Sequence, residues 1–153
     1  MHLDTFDRRI LDILQADCMR SHAAIGREVG LSGSAVRRRI QAMRASGVIA
    51  REVAILGEGV AGLTVVVTVE LDRETKDVYD ALRDSMCADD HVLQCYFTAG
   101  QLDIVLIVAV SSPEDYKAWA ERTLLGNPSV RRFESFFAWS TAKSTTKRPS
   151  SCG

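Results

Sequence analysis

Apolar residues recur every three to four positions over the first third of the chain, a spacing that predicts helices. The first predicted helix covers residues 4–17, and its inner side carries Leu3, Phe6, Ile10, Leu11 and Leu14. The opposite side carries charged residues, namely Asp4, Asp7, Arg8 and Asp12. The segment is therefore expected to be amphipathic, with these charged groups facing away from the core.

Two further helices follow at close spacing. Ser21 is a residue type that caps helix starts, and Gly30 stands where a helix would end in a left-handed residue. Ser32 is expected to cap the third helix, which is predicted over about residues 33–46. The connection around Gly30 is the tight turn that a helix-turn-helix requires. The apolar residues Val48, Ile49, Val53 and Ile55 predict a strand over residues 48–56.

Beyond a linker that contains Gly57, Gly59 and Gly62, the apolar period changes to two. Strands are predicted over residues 64–71, 92–99, 103–110 and 130–139, and helices over residues 74–86 and after Ser112. This order is the split βαββαβ unit of ferredoxin-like folds, so the fold class is α+β. The expected segments are residues 1–50, a strand and linker over 51–62, a second domain over 63–142 and a disordered tail over 143–153.

Composition excludes several protein classes. The 153 residues are 46% hydrophobic and 25% charged, which is ordinary for a globular protein and unlike a disordered chain or a coiled-coil rod. The longest nearly unbroken apolar run, residues 104–110, is far shorter than the roughly 20 residues of a membrane span. No signal peptide is visible, so a cytoplasmic protein without a membrane partner is expected.

No residue pattern predicts catalysis, a cofactor or a metal. The four cysteines form no C-x-x-C pair and match no zinc spacing, and they are expected to be reduced thiols; they are Cys18, Cys87, Cys95 and Cys152. The sequence contains no nucleophile elbow, H-E-x-x-H, P-loop or G-x-G-x-x-G motif. An enzyme is therefore not predicted.

The net charge of −1 conceals an asymmetry. Residues 20–51 hold seven arginines and one glutamate, whereas residues 63–142 hold seven basic and thirteen acidic groups. The basic block is a candidate surface for a polyanion. A solvated charged face is the alternative interpretation.

The third predicted helix concentrates groups suited to DNA. Because Val36 and Ile40 face the core, Arg37 and Arg38 should point outward. Free N–H groups at the start of a helix favour a phosphate, and the small residues there are Ser32, Gly33 and Ser34. These three residues and the two arginines are the candidate contacts to double-stranded DNA. The alternative is a helical hairpin with a charged solvent face.

The second domain offers two further hypotheses. Two helices are expected to cover one face of the four-stranded sheet, and the other face is apolar at Val66, Phe136 and residues 104–110. A second copy of the sheet is the simplest cover for this apolar face. The alternative is that the N-terminal domain folds back over it. The turn Gly100-Gln101-Leu102-Asp103 is a candidate site for a small molecule. Gly100 can adopt a positive φ, so that backbone N–H groups of the turn bind the carboxylate of a ligand, and the Asp103 carboxylate binds the amine of the same ligand. An ordinary hairpin turn is the alternative.

Six motifs occur in a distinctive order. They are Leu3-Asp4-x-x-Asp7-Arg8-x-Ile10-Leu11, Val29-Gly30-Leu31-Ser32, Val36-Arg37-Arg38-Arg39-Ile40, Gly47-Val48-Ile49, Gly100-x-x-Asp103 and Asn127-Pro128-x-Val130. Together they resemble the Lrp/AsnC (feast/famine) transcriptional regulators over residues 3 to about 142.

The resemblance implies a winged helix-turn-helix domain and a second domain that binds a small effector, such as an amino acid, and dimerises. Homodimers are expected to assemble into tetramers or octamers. The implied effector site lies between dimers, near Gly100, Gln101, Leu102 and Asp103, and is flanked by Phe136 and Ala138. The expected protein is a sequence-specific regulator, cytoplasmic and nucleoid-associated when DNA-bound, whose assembly or DNA affinity responds to that effector.

A metal- or thiol-responsive regulator on the same scaffold is the alternative hypothesis. It would use Cys18, Cys87 or Cys95. Metal analysis and thiol-blocking assays would separate the two hypotheses.

Overall fold

A computed structural model describes residues 2–57, 60 and 62–148, which divide between two compact units. The first unit contains the helices α1 (Thr5–Ala16), α2 (His22–Val29) and α3 (Gly33–Ala45). The second unit contains the strands β1 (Leu63–Leu71), β2 (Val92–Phe97), β3 (Ile104–Val110) and β4 (Val130–Phe137), and the helices α4 (Lys76–Ala88) and α5 (Pro113–Ala120). A π-helical turn, Glu121–Leu125, extends α5. The α+β fold class is confirmed.

Side-chain caps fix the starts of the three helices in the first unit. Asp4, Ser21 and Ser32 each accept a hydrogen bond from the backbone N–H three residues later. Gly30 ends α2 with φ of 81°, a conformation that glycine adopts without steric cost. The fully buried side chains between the helices are Ile10, Ile25, Val36, Ile40 and Met43. The predicted helix-turn-helix is confirmed.

Asp7 does not lie on the solvent side of α1, as the helical pattern predicted. It is 4% exposed and is the one buried charged residue among the described residues. Its carboxylate accepts hydrogen bonds from the Asp4 backbone N–H at 3.1 Å and from the Arg39 guanidinium at 2.8 Å. The pattern was wrong at this position because a partner from α3, distant in sequence, supplies the charge that a buried carboxylate needs.

The strand predicted over residues 48–56 is not formed, so the described residues supply no wing strand. A strand needs a neighbouring backbone to satisfy its N–H and C=O groups, and none in the described chain pairs with this segment. Ile49 packs against the core of the first unit, but Val53, Ile55 and Leu56 are all more than 60% exposed. Apolar character alone therefore did not determine a strand here.

The sheet of the second unit is antiparallel throughout, in the order β2-β3-β1-β4. In the register, β1 lies between β3 and β4, with Val66 opposite both Ile107 and Phe136. Alternate residues of β1 and β3 are buried, and α4 and α5 pack on that side through Leu82, Met86 and Trp119. The predicted βαββαβ unit is confirmed, although β4 ends before Trp139, which is 97% exposed.

The indole of Trp119 makes a polar contact in the core of this unit. The fully buried Trp119 donates its indole N–H to Asp89 at 2.8 Å. Burial by itself raises the pKa of Asp89, but hydrogen bonds from the His91 backbone and from Trp119 outweigh it and hold this pKa below its ordinary value. The carboxylate therefore stays ionised where it terminates α4.

The described residues outside these elements form no helix or strand. Gly62, at the end of the predicted linker, has φ of 68°, and a Cβ there would lie 2.5 Å from the Val110 carbonyl oxygen, whereas Gly59 lies outside the described residues. The tail predicted to be disordered has no helix or strand over residues 143–148, where the Arg148 backbone exchanges two hydrogen bonds with the Gln15 side chain; residues 149–153 lie outside the described residues. None of the helices in the described chain is both long and apolar enough to cross a bilayer.

Candidate nucleic-acid interface and effector site

Arg37 and Arg38 are exposed cations in the N-terminal half of α3. Both side chains lie on the surface of the first unit, and within the described chain neither forms an ion pair. The next residue, Arg39, instead contacts Asp4 and Asp7. The arginine triplet therefore divides into two unneutralised cations and one that is held inside the unit.

The rest of the basic block is partly neutralised. Arg20 pairs with Glu28 at 2.7 Å, and Arg44 pairs with Glu52 at 2.9 Å. Because such pairs cancel charge locally, the positive field of the unit is concentrated where no carboxylate lies close. This arrangement favours the face of α3 that carries Arg37 and Arg38.

The start of α3 contains the three small residues that the sequence singled out. Ser32 accepts a hydrogen bond from the Ala35 N–H at 3.2 Å, and its hydroxyl lies 3.1 Å from that of Ser34. Gly33 has a packing role, because a Cβ there would lie 3.3 Å from the Ala23 backbone. The absence of a side chain at Gly33 thus permits the close approach of α2 and α3, which is a structural reason for a small residue that is independent of phosphate binding.

Gly26 is a structurally demanding position that the sequence interpretation missed. A Cβ on this residue would lie 2.4 Å from the Leu31 carbonyl oxygen, so a larger side chain would force apart the turn between α2 and α3. The available signal was a glycine within a short helix, which weakens a helix unless packing requires it.

The turn between β2 and β3 is closed by its own backbone. The Thr98 N–H donates to the Asp103 carbonyl at 2.9 Å, and the Thr98 hydroxyl donates to the Leu102 carbonyl. Gly100 does not adopt the positive φ that it was expected to permit, and a Cβ there would meet no atom within 4 Å. The turn is thus open at Gly100 without backbone strain.

The Asp103 carboxylate has a structural role within its own domain. It accepts a hydrogen bond from the Leu71 N–H at 2.7 Å, where the register of β1 with β4 shifts. The last residue pair between β1 and β3 is Val69 with Ile104, so β3 offers no backbone acceptor to the Leu71 N–H. The Asp103 carboxylate takes the place of that acceptor. Burial and then the negative charge of Asp103 raise the pKa of the Tyr79 phenol.

The six predicted effector residues do not converge in one chain. Asp103 donates its N–H to Val69, whereas Ala138 donates to Thr64, five positions away along β1. At about 3.4 Å per residue this separation is about 17 Å, longer than a single amino acid. Phe136, opposite Val66 on the uncovered face, lies between the two levels and is 53% exposed.

A cavity of the second unit lies away from these residues. Its volume is about 500 Å³, and it is lined by Ser85, Asp89, Arg122, Thr123, Gly126, Asn127 and Pro128. None of the six predicted effector residues lines it.

The described residues offer little to the metal- or thiol-responsive alternative. Among them, no group of three or more His, Cys, Asp or Glu side chains could hold a metal ion. Burial raises the pKa of the Cys95 thiol, which disfavours the reactive thiolate. Cys18 and Cys87 are exposed, and Cys152 lies outside the described residues.

Two family models match this chain. One, described as the AsnC-type helix-turn-helix domain, matches residues 3–44, and the other, described as the Lrp/AsnC ligand binding domain, matches residues 64–148. A helix-turn-helix transcriptional regulator from Haemophilus influenzae is 32% identical over 143 residues, which make up 92% of this chain and 85% of the relative.

Solved structures with the same fold cover nearly the whole chain. An AsnC family transcriptional regulator from Agrobacterium tumefaciens is 32% identical, with a TM-score of 0.87 over 96% of this chain and 97% of that one. A transcriptional regulator from Neisseria meningitidis, crystallised as a complex with L-Met, is 27% identical, with a TM-score of 0.87 over 97% of each chain.

The contact of Asp103 with Leu71 predicts the effect of two substitutions. Asp103→Ala leaves the buried Leu71 N–H without its acceptor and should lower the free energy of unfolding of this domain by about 1–3 kcal/mol. Gly100→Ala, whose added methyl group meets open space, should change it by less than about 0.5 kcal/mol. Urea unfolding followed by tryptophan fluorescence tests this, because both tryptophans belong to the second unit. Equal midpoints for Asp103→Ala and the unsubstituted protein would contradict the structural role.

Proposed function

The chain belongs to the Lrp/AsnC family of transcriptional regulators, and from that premise we propose that it binds double-stranded DNA sequence-specifically through α3 and responds to a small effector. The observation that carries the proposal is the exposure of Arg37 and Arg38, which have no carboxylate partner among the described residues, on a capped helix of a helix-turn-helix. A cytoplasmic location, with nucleoid association when bound to DNA, is part of the proposal.

The arrangement suits entry of α3 into the major groove. In a helix-turn-helix, the second helix places residues of its N-terminal half against base edges. Arg37 and Arg38 are the fifth and sixth residues of α3, in that half, and Ser32, Gly33 and Ser34 stand at its start. An arginine can contact a guanine through two hydrogen bonds or neutralise a phosphate, so either arginine can supply specificity or affinity.

Replacing each of these arginines separately tests the DNA-binding face. Arg37→Ala and Arg38→Ala should weaken binding to a duplex that the full-length protein selects from a random-sequence pool. Loss of a phosphate contact lowers the salt slope by about one, and loss of a base contact costs about 1–3 kcal/mol and relaxes sequence preference. Arg73→Ala, which removes an 81% exposed arginine of the second unit, is the matched control. Isotherms of both variants that overlay the unsubstituted protein, measured by fluorescence anisotropy, would contradict the assignment.

We place the effector site at the β2–β3 turn and propose an amino acid as the ligand. The L-Met bound to the Neisseria meningitidis regulator supports this chemical class. Because Asp103 and Ala138 are too far apart in one chain to contact one amino acid, Phe136 and Ala138 would have to come from a different copy than Gly100, Gln101, Leu102 and Asp103. Effector binding and assembly would then be the same event.

A thermal-shift screen against the twenty amino acids tests the effector proposal. A ligand at about 100 times its dissociation constant adds about 2.7 kcal/mol to the free energy of unfolding, which raises the melting temperature. Gly100→Val should abolish the shift by blocking approach to the turn, while its melting temperature without ligand should change little, because a Cβ at this position meets no atom within 4 Å. A full shift in Gly100→Val would place the pocket elsewhere, and no shift with any amino acid would contradict the ligand class.

We also propose that pairs of this chain bury the sheet face opposite α4 and α5, and that such dimers assemble into tetramers or octamers. Phe136 and Tyr96 on this face are 53% and 49% exposed in the single chain, beside Val66, Val105 and Ile107. Such a contiguous apolar surface on an isolated protein is typical of an interface. When two copies pair through the same face about a two-fold axis, both apolar faces are buried and none remains exposed.

A charge in the middle of this face should prevent pairing. Ile107→Glu places a carboxylate opposite Val66, where burial against a second copy would leave it without a partner. Sedimentation at micromolar concentration should show a monomer for this variant and a dimer or larger species for the unsubstituted protein. Lys117→Glu, at an exposed side chain of α5 on the covered side of the sheet, is the control that should leave assembly unaffected. A dimer that survives Ile107→Glu would exclude this face.

A further inference from the structure

We propose that Arg39 is a positioning residue for DNA recognition: it contacts no DNA, and it fixes the rotation of α3 by holding it against two carboxylates at the start of α1. This inference rests on the proposed DNA-binding function. It assigns the third member of the arginine triplet a role different from that of Arg37 and Arg38.

A single guanidinium nitrogen joins the two helices. Arg39 Nη1 lies 2.7 Å from Asp4 Oδ2 and 2.8 Å from Asp7 Oδ1. The guanidinium carbon lies 5.5 Å from the centre of the Phe6 ring, within the range of a cation–π contact. The α1 residues that receive Arg39 thus come from one turn of the helix.

The two carboxylates are already committed on their other sides. Asp4 Oδ1 accepts the Asp7 N–H at 2.8 Å, and Asp7 Oδ2 accepts the Asp4 N–H at 3.1 Å, which together form a capping box. The Asp7 N–H and then Arg39 lower the pKa of Asp4. All four carboxylate oxygens therefore have a donor, and the two that remain after capping are occupied by Arg39.

Releasing Arg39 toward a phosphate would leave a buried charge unpaired. The Asp7 side chain is only 6% exposed, whereas the Arg39 side chain is 28% exposed. Removing the partner of a buried carboxylate is costly, because it leaves an uncompensated charge in the interior. Two carboxylates around one guanidinium also cancel the positive charge that would attract DNA.

Holding Arg39 fixes where its two neighbours point. Successive residues of a helix are rotated by about 100°, so the direction of Arg39 sets the directions of Arg38 and Arg37. The apolar stripe of α3 also resists rotation, but apolar contacts are non-directional, whereas bonds from one nitrogen to two oxygens restrict angle as well as distance. The contact is therefore suited to specificity as well as to stability.

Neutralising Asp7 should change DNA affinity in opposite directions for the two possible roles of Arg39. If Arg39 is a DNA contact restrained by Asp7, Asp7→Asn frees a cation and tightens DNA binding. If Arg39 positions α3, Asp7→Asn weakens binding to the selected duplex by roughly tenfold, the effect of one misplaced base contact. Binding to a scrambled duplex of the same length, and the salt slope, should stay unchanged. Fluorescence anisotropy with the full-length protein at several salt concentrations measures all three quantities.

Arg39→Lys tests the same role from the other helix. A lysine preserves a phosphate contact but cannot reproduce the geometry of the guanidinium. It should therefore lower the preference for the selected over the scrambled duplex as Asp7→Asn does. A wild-type preference in Arg39→Lys, or tighter binding by Asp7→Asn, would overturn the inference.

Ile40→Val separates positioning from simple loss of stability. It removes one buried methyl group of the same helix and leaves the polar contacts intact, so it should lower the melting temperature without changing the duplex preference. An equal loss of preference in Ile40→Val would reduce Arg39 to a structural role. If Asp7→Asn does not fold, Asp4→Asn, at a side chain that is 47% exposed, makes the same comparison. An unsubstituted protein that prefers no duplex would instead contradict the proposed function itself.

Discussion

The four-stranded sheet has two faces, and both helices of its domain pack on the same one. The alternating valines of β1 and the inward residues of β3 form the core with α4 and α5. The residues of β3 that face away from the helices are apolar too, so the domain by itself fully buries only one side of this strand. Because apolar area exposed to water opposes stability and solubility, this one-sided packing makes assembly part of the function that we propose.

One-sided packing also bears on ligand recognition. The β2–β3 turn and the end of β4 occupy different levels of the same sheet, because the register of β1 with its neighbours fixes the distance between them. A small ligand cannot contact both levels in one copy. In the site that we propose, ligand binding would be coupled to assembly without a large movement inside the domain, since the ligand would contact two copies and so stabilise the associated form.

Three aspartates illustrate how this protein uses carboxylates. Asp7 accepts hydrogen bonds from an arginine and a backbone N–H, Asp89 contacts an indole and an imidazole, and Asp103 accepts a strand N–H beyond the last residue pair of β1 with β3. Each joins segments that are distant in sequence. Since a buried donor without an acceptor costs more than a formed hydrogen bond contributes, these residues maintain the geometry on which the exposed groups depend.

The sequence by itself determined the helices, the order βαββαβ, the caps and the outward direction of Arg37 and Arg38, because these features follow from local periodicity and from side chains that bond to a backbone three residues away. The tertiary structure decided what depends on distant partners. It turned Asp7 inward toward Arg39, engaged Asp103 with Leu71, left residues 48–56 without a strand partner and separated Phe136 and Ala138 from the turn at Gly100. Periodicity reports which side of an element is buried, but only the packed chain reveals which donor meets which acceptor and at what level of the sheet.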